Sequence, residues 1–125
     1  MALRTAVATL DRPPRTVAIP ASERAECCGL FHRAVELIGK RWTGAILSVL
    51  LEGSLRFSEI RALVPDISDR LLSERLKELE AEGIVDRQVL DEHPIGVEYR
   101  LTPKGEALQP AVAALKTWAG DWLCP

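Results

Sequence analysis

The apolar pattern of this chain starts late. Phe31, Ala34, Val35 and Ile38 stand at i, i+3, i+4 and i+7, which predicts an amphipathic first helix ending at Gly39. From about Thr43 to Leu51 the chain is apolar almost all round, as a buried central helix would be. Glu52, Gly53 and Ser54 make a turn, and Phe57, Ile60, Leu63 and Val64 then mark a short third helix stopped by Pro65. Ser68 follows as a good N-cap, and Asp69 places a negative charge at the positive end of the next helix dipole. Leu72, Leu76 and Leu79 recur at i, i+4 and i+7 on that helix, while Arg70, Ser73, Glu74 and Lys77 fall on its opposite side. Gly83 supplies the left-handed residue that ends it.

Beyond Gly83 the period changes. Residues 84–90 carry β-branched residues and pair naturally with residues 97–101, where Val97, Tyr99 and Leu101 share one face and Glu98 and Arg100 the other. Thr102 and Pro103 open a last helix with an N-cap and a proline at N1. Leu108, Ala111, Val112, Leu115, Trp118, Ala119 and Trp122 form one apolar stripe along it, with a bend expected at Pro110. Two helices joined by a turn of a few residues and followed by a hairpin are the layout of a winged helix-turn-helix. The fold class is therefore mainly α with a small β-hairpin (α+β).

At 125 residues this is one domain by the usual prior. Residues 1–26 hold Pro13, Pro14 and Pro20 and no helical period, so they are expected to form an extended arm, or a mere tail, ahead of a domain spanning 27–125. The longest apolar run, residues 45–51, falls short of the roughly 18 residues that cross a bilayer, so no membrane association is expected. No secretory signal is visible, and three cysteines, an odd number, argue for a reducing cytoplasm over a disulfide framework. The net charge of −2 counts against nucleic-acid binding unless positive charge is concentrated locally. Lys40, Arg41, Arg70, Lys77, Arg87 and Arg100 are the candidates for such a concentration.

Three segments carry a resemblance to a known family. They are AVELIGKRWTGAILSVLLEG at 34–53, LRFSEIRALVPDISDRLLSERLKELEAEGIVDR at 55–87 and VEYRLTPKGEAL at 97–108. In this order they resemble the HxlR family of bacterial winged-helix transcription regulators, a branch close to MarR-type repressors. The resemblance implies a homodimer, built from N-terminal and C-terminal helices, on a pseudo-palindromic double-stranded DNA operator. Phe31, Val35, Leu115, Trp118 and Trp122 then become the dimerisation residues. Trp118 and Trp122 point the same way on physical grounds, since a small domain cannot easily bury both unless they pack within the monomer.

On that reading Ser68, Arg70, Ser73, Glu74 and Lys77 meet the major groove. Arg70 and Lys77 offer donors to guanine or phosphate, and Glu74 accepts from a cytosine. Arg87, His93 and Arg100 lie along the minor groove or backbone, and Lys40, Arg41 and Thr43 give phosphate contacts at a helix N-terminus. Each charged residue has a solvated surface face as its alternative, and Arg75 an intramolecular ion pair. The family resemblance also implies an oxidant- or electrophile-sensing cysteine just before the first helix. Cys28 with Phe31 and His32 matches that position, although Gly29 stands where a proline is usual. A thiol at a helix N-terminus is activated toward thiolate, and His32 one turn on could stabilise it. The alternatives are an inert Cys28, a regulator answering a small molecule without cysteine sensing, or a winged helix that contacts protein. Cys28, His32 and Glu36 fall at metal-ligand spacing but lack a fourth ligand, and Cys28 with His32 lacks the third group an enzyme would need. No cofactor, metal or catalytic role is expected.

Overall fold

The computed structural model describes residues 19–26, 28–91 and 96–125. After a short 3₁₀ turn at Ala21–Glu23 come α1 (Gly29–Ile38), α2 (Thr43–Leu50), β1 (Leu55–Arg56), α3 (Phe57–Leu63) and α4 (Asp69–Ala81). Then follow β2 (Val85–Leu90), β3 (Gly96–Leu101), α5 (Pro103–Glu106) and α6 (Gln109–Trp122). The strands form an antiparallel sheet in the order β1-β3-β2, so the expected hairpin gains a third strand. β1 is only two residues long, too short for any alternation to show in the sequence. Most of the arm expected at residues 1–26 lies outside the described residues, as do Cys27 and His93.

The core is built around α2. Ile46, Leu47 and Leu50 of that helix meet Ile60, Val64 and Ile67 from α3 and the turn after it. Leu72, Leu76 and Leu79 of α4 complete the cluster with Ile84, Val85 and Leu101 from the base of the sheet. Each side chain of this size contributes about 1.5–3 kcal/mol when fully buried. The spacing of the leucines in α4 is thus the spacing of its inward face, whereas in α3 Ile60 is buried and Leu63 stays exposed.

Polar contacts fix α4 at both ends and along one flank. Ser68 Oγ accepts from the Leu71 N–H at 3.1 Å, the expected N-cap. Arg61 of α3 reaches across the turn, pairing with Asp69 and donating from Nη1 to the Ile67 carbonyl at 3.0 Å. On the flank, Arg75 donates to the Arg41 carbonyl at 3.0 Å and pairs with Glu78 at 3.1 Å. Lys40 reaches the other oxygen of Glu78, also at 3.1 Å. This tie joins α4 to the α1–α2 link, where Trp42 holds a left-handed φ of 74°. Such a backbone persists in a non-glycine residue only when its surroundings impose it. Here the Trp42 ring packs on the core and Arg41 lies over it, 5.3 Å from the ring centroid. At its far end α4 stops in a Schellman arrangement, with Ile84 N–H on the Leu79 carbonyl and Gly83 N–H on that of Glu80. Gly83 takes the φ of 74° which that geometry needs.

The C-terminal helix departs from expectation. One bent helix was predicted from Pro103 onward, whereas the chain makes α5, breaks at Ala107 and Leu108, and restarts as α6. Pro110 explains the break: it has no N–H to give, and its ring excludes the carbonyl four residues back, at Glu106. Gly105 of α5 is buried against the Ile84 carbonyl, where a Cβ would collide with backbone. α1 and α6 both pack on α2, yet their apolar faces stay largely uncovered. Among the described residues no helix is long and apolar enough to cross a membrane.

Two expectations follow. Leu76→Ala should lower unfolding free energy by about 2–5 kcal/mol in urea melts, while Glu74→Ala, one turn face away, should stay within about 0.5 kcal/mol. The Lys40 hydrogen bond, with help from the Arg75 charge, holds the Glu78 carboxyl below its ordinary value of 4.5 despite partial desolvation. A lowered folded-state value adds stability that is present above 4.5 and lost as pH falls through the lowered value. Glu78→Gln should therefore cost up to about 1 kcal/mol at neutral pH, and its deficit should vanish in melts at progressively lower pH.

Candidate nucleic-acid interface

Because α4 buries its leucines, its other side stands clear of the protein. Arg70 is 90% exposed at its side chain and Glu74 50%, and Arg70 Nε donates to Glu74 at 3.2 Å. Lys77 is exposed and Ser73 half-buried beside them. The four residues expected to read bases thus share one surface, with the Arg70–Glu74 pair already formed along it. Such an exposed i, i+4 pair is worth only a few tenths of a kcal/mol, so a partner can readily exchange it.

The sheet decides which wing residues join this surface. Val85 pairs with Leu101, Arg87 with Tyr99 and Val89 with Val97, so these six lie on one face. Asp86 with Arg100 and Gln88 with Glu98 lie on the other. Arg87 and Tyr99 accordingly face α4, and with Ser73, Leu76, Lys77 and Glu80 they line a cleft of about 380 Å³. Among the described residues neither Lys77 nor Arg87 makes an ion pair or a side-chain hydrogen bond. With Lys77 and Arg87 against the one carboxylate of Glu80, the cleft carries a net positive charge of the kind a phosphate backbone attracts.

Several expected contacts are not gathered here. Thr43 is 1% exposed, so its side chain packs into the core and the phosphate contact expected of it is corrected to a structural role. The reason is its position at the first turn of the central helix, on the same inward face as Ile46, Leu47 and Leu50. Arg100 lies near the base of the hairpin on the face away from α4, paired with Asp86 at 3.2 Å. It lines a separate cleft with Glu52, Ser54, Glu106 and Gln109. Lys40 is engaged by Glu78, and Arg41 leans on Trp42, though both remain exposed. Arg75 takes the intramolecular alternative. Sequence reasoning missed Arg61, whose clamp on Asp69 orients the start of α4. The signal was present, an arginine at the end of one helix and an acid at the start of the next, but only the turn geometry joins them.

Away from α4, Cys28 is the N-cap residue of α1 and is exposed, as is Cys124 at the opposite end of the chain. The His32 Nε2 lies 3.0 Å from Glu36, so that nitrogen is turned to a carboxylate one turn further along the helix. Among the described residues no three metal-ligating side chains converge, and Cys28, His32 and Glu36 do not form such a group. Phe31 (66% exposed), Val35, Leu115, Trp118 (53%) and Trp122 (56%) stand open on α1 and α6, with Leu30 and Leu123 beside them. The reading in which both tryptophans pack inside the monomer is thereby set aside.

Residues 37–125 match the model of the HxlR-like helix-turn-helix family. The HTH-type transcriptional regulator YvaP of Bacillus subtilis is 50% identical over 102 residues, covering 82% of this chain and 94% of its own. The HTH-type transcriptional regulator YodB of the same organism is 48% identical over 103 residues, covering 78% of this chain and 92% of its own. The solved structure of reduced YodB overlays with a TM-score of 0.71 at 47% identity, across 80% of this chain and 98% of that one. YodB has also been solved after diamide treatment and with quinone bound. The redox regulator HypR, in its reduced form, overlays with a TM-score of 0.71 at 38% identity, across 74% of this chain and 92% of its own. These relatives bear the names of transcriptional regulators. The chain belongs to the HxlR-like helix-turn-helix family of DNA-binding transcriptional regulators.

Proposed function

We propose that this protein is a homodimer that binds a pseudo-palindromic operator, with one α4 in the major groove of each half-site and β2–β3 against the flanking backbone. The observation that carries this reading is the single surface formed by Arg70, Ser73, Glu74 and Lys77 and bordered by Arg87. Arg70 and Lys77 supply donors to guanine or phosphate, Ser68 and Ser73 short hydroxyls, and Glu74 an acceptor for cytosine. Glu74 also releases Arg70 only where a base or phosphate offers a better partner, which favours some sequences over others. Lys77 and Arg87, on the two walls of one cleft, take phosphates. Lys40 and Arg41 remain available to the backbone at the rim, on the condition that Lys40 leaves Glu78. His93 belongs to the same wing by its place in the sequence.

The uncovered apolar faces of α1 and α6 support pairing of two copies. Phe31, Val35, Leu115, Trp118 and Trp122 supply the aromatic and aliphatic anchors such an interface needs. A symmetric dimer presents its two α4 helices to half-sites related by the same twofold axis.

The effector of this regulator, in our reading, is an oxidant or electrophile that modifies Cys28. Support comes from its exposed seat at the N-cap of α1, on the helix that carries Phe31 and Val35. The diamide-treated and quinone-bound forms of YodB, and the name of HypR, favour the same chemistry. A change at Cys28 sits one turn from the proposed dimer face, so it can alter the spacing of the two α4 helices.

Genomic fragments captured by the purified protein provide the DNA for the test. Arg70→Ala should weaken binding of a captured fragment by about 1–3 kcal/mol and relax its specificity. Lys77→Ala should weaken binding across all sequences and reduce the salt slope by about one. Unchanged affinity in both variants would remove α4 from the recognition role, and binding insensitive to salt would favour a protein partner. Separately, diamide should alter the affinity of the wild-type protein and leave Cys28→Ser unaffected. An equal response in both would take Cys28 out of the sensing role.

A further inference from the structure

Arg56 belongs at once to the helix-turn-helix and to the wing. Its backbone N–H donates to Glu59 Oε1 at 2.7 Å, closing the first turn of α3. Its Cα pairs with Glu98 in β3, so it is also the second residue of the outer strand. The half-buried side chain does not stop at Glu98. It runs two residues along the same face of the sheet to Gly96, which with Leu90 forms the outermost described pair of the hairpin. A Cβ built on Gly96 would stand 3.0 Å from Arg56 Cζ and 3.5 Å from Nη2, with Nη1 nearer still. The guanidinium therefore lies on the Gly96 backbone, in the space that the Cβ of any other residue would occupy. Gly96 does not take a left-handed φ, so its lack of a side chain, and not its freedom, is what Arg56 uses.

We propose that Arg56 is a positioning residue that fixes the angle between the helix-turn-helix and the hairpin, so that the wing meets DNA in register with α4. The proposal rests on the reading of β2–β3 as a DNA-contacting wing. Arg56 is suited to it because a planar guanidinium can lie flat on a backbone, whereas a lysine ammonium cannot. The contact thus adds a tie between α3 and the outer end of the hairpin, away from the turn where α4 enters β2. Because the atoms that crowd Gly96 belong to the far end of a flexible side chain, Gly96→Ala should displace the guanidinium without preventing folding.

The test is hydroxyl-radical footprinting of a captured genomic fragment by wild type, Arg56→Ala, Arg56→Lys, Gly96→Ala and the Arg56→Ala/Gly96→Ala double variant. The wild type should protect both the centre of each half-site and its flank. Each single variant should lose flank protection, keep central protection and bind about tenfold more weakly, with a salt slope lower by about one. Arg56→Lys should fail to rescue. In the double variant Gly96→Ala should add nothing to Arg56→Ala, because the clash it creates is already gone. Flank protection that persists in Arg56→Ala and Gly96→Ala, or losses that add in the double variant, would overturn the role of Arg56 while leaving the wing reading intact. A wild-type footprint with no flank protection would overturn both.

Discussion

Everything on the exterior of α4 depends on how its interior is held. Leu72, Leu76 and Leu79 are each at most 1% exposed, packed against α2 and α3. That one-sided burial leaves the opposite side bare. A helix held only by leucines could still slide or roll, and the polar contacts remove that freedom. Arg61 secures its first turn through Asp69 and the Ile67 carbonyl, Arg75 its middle through the Arg41 carbonyl, and the Gly83 turn its end. Presenting side chains to a groove requires this kind of support, since a site on a loosely held helix loses its geometry.

The same contacts resolve the puzzle of an acidic DNA-binding protein. A net charge of −2 is spread over many carboxylates, but several near α4 already have cations beside them. Asp69 pairs with Arg61 and Glu78 with Lys40 and Arg75, and on the far face of the sheet Asp86 pairs with Arg100. Among the described residues, Lys77, Arg87 and the single carboxylate Glu80 line the cleft on the α4 side of the sheet without an ion pair, which leaves a local excess of positive charge. Net charge describes the whole surface, whereas a phosphate meets only the cleft in front of it.

Much of this was legible in the sequence, and for identifiable reasons. The helices α1 to α4 followed from apolar spacing, whether the apolar residues are buried in the core, as in α2 and α4, or left uncovered, as on α1, and Ser68 and Gly83 marked the two ends of α4 because capping chemistry is local. The hairpin faces followed from alternation, including the separation of Tyr99 from Arg100. Contacts between distant elements were not legible. Nothing in the spacing shows that Lys40 meets Glu78, that Thr43 is buried, or that Arg56 lies on Gly96, since each depends on how helices and strands pack. The break at Pro110 was read as a bend because the pattern fixes where a proline acts and not how far the chain turns there.

In the proposed dimer, pairing through the open apolar faces of α1 and α6 would bring two copies of the polar face of α4 to DNA. The central claim is that α4 and the adjoining face of the sheet are what DNA meets. Backbone amide NMR of the full chain, titrated with a captured genomic fragment, tests it most directly. The largest shifts should fall at Ser68, Arg70, Ser73, Glu74, Lys77 and Arg87, with Arg100 and Glu106 little changed. Shifts centred on the Arg100 cleft, with α4 unmoved, would contradict it.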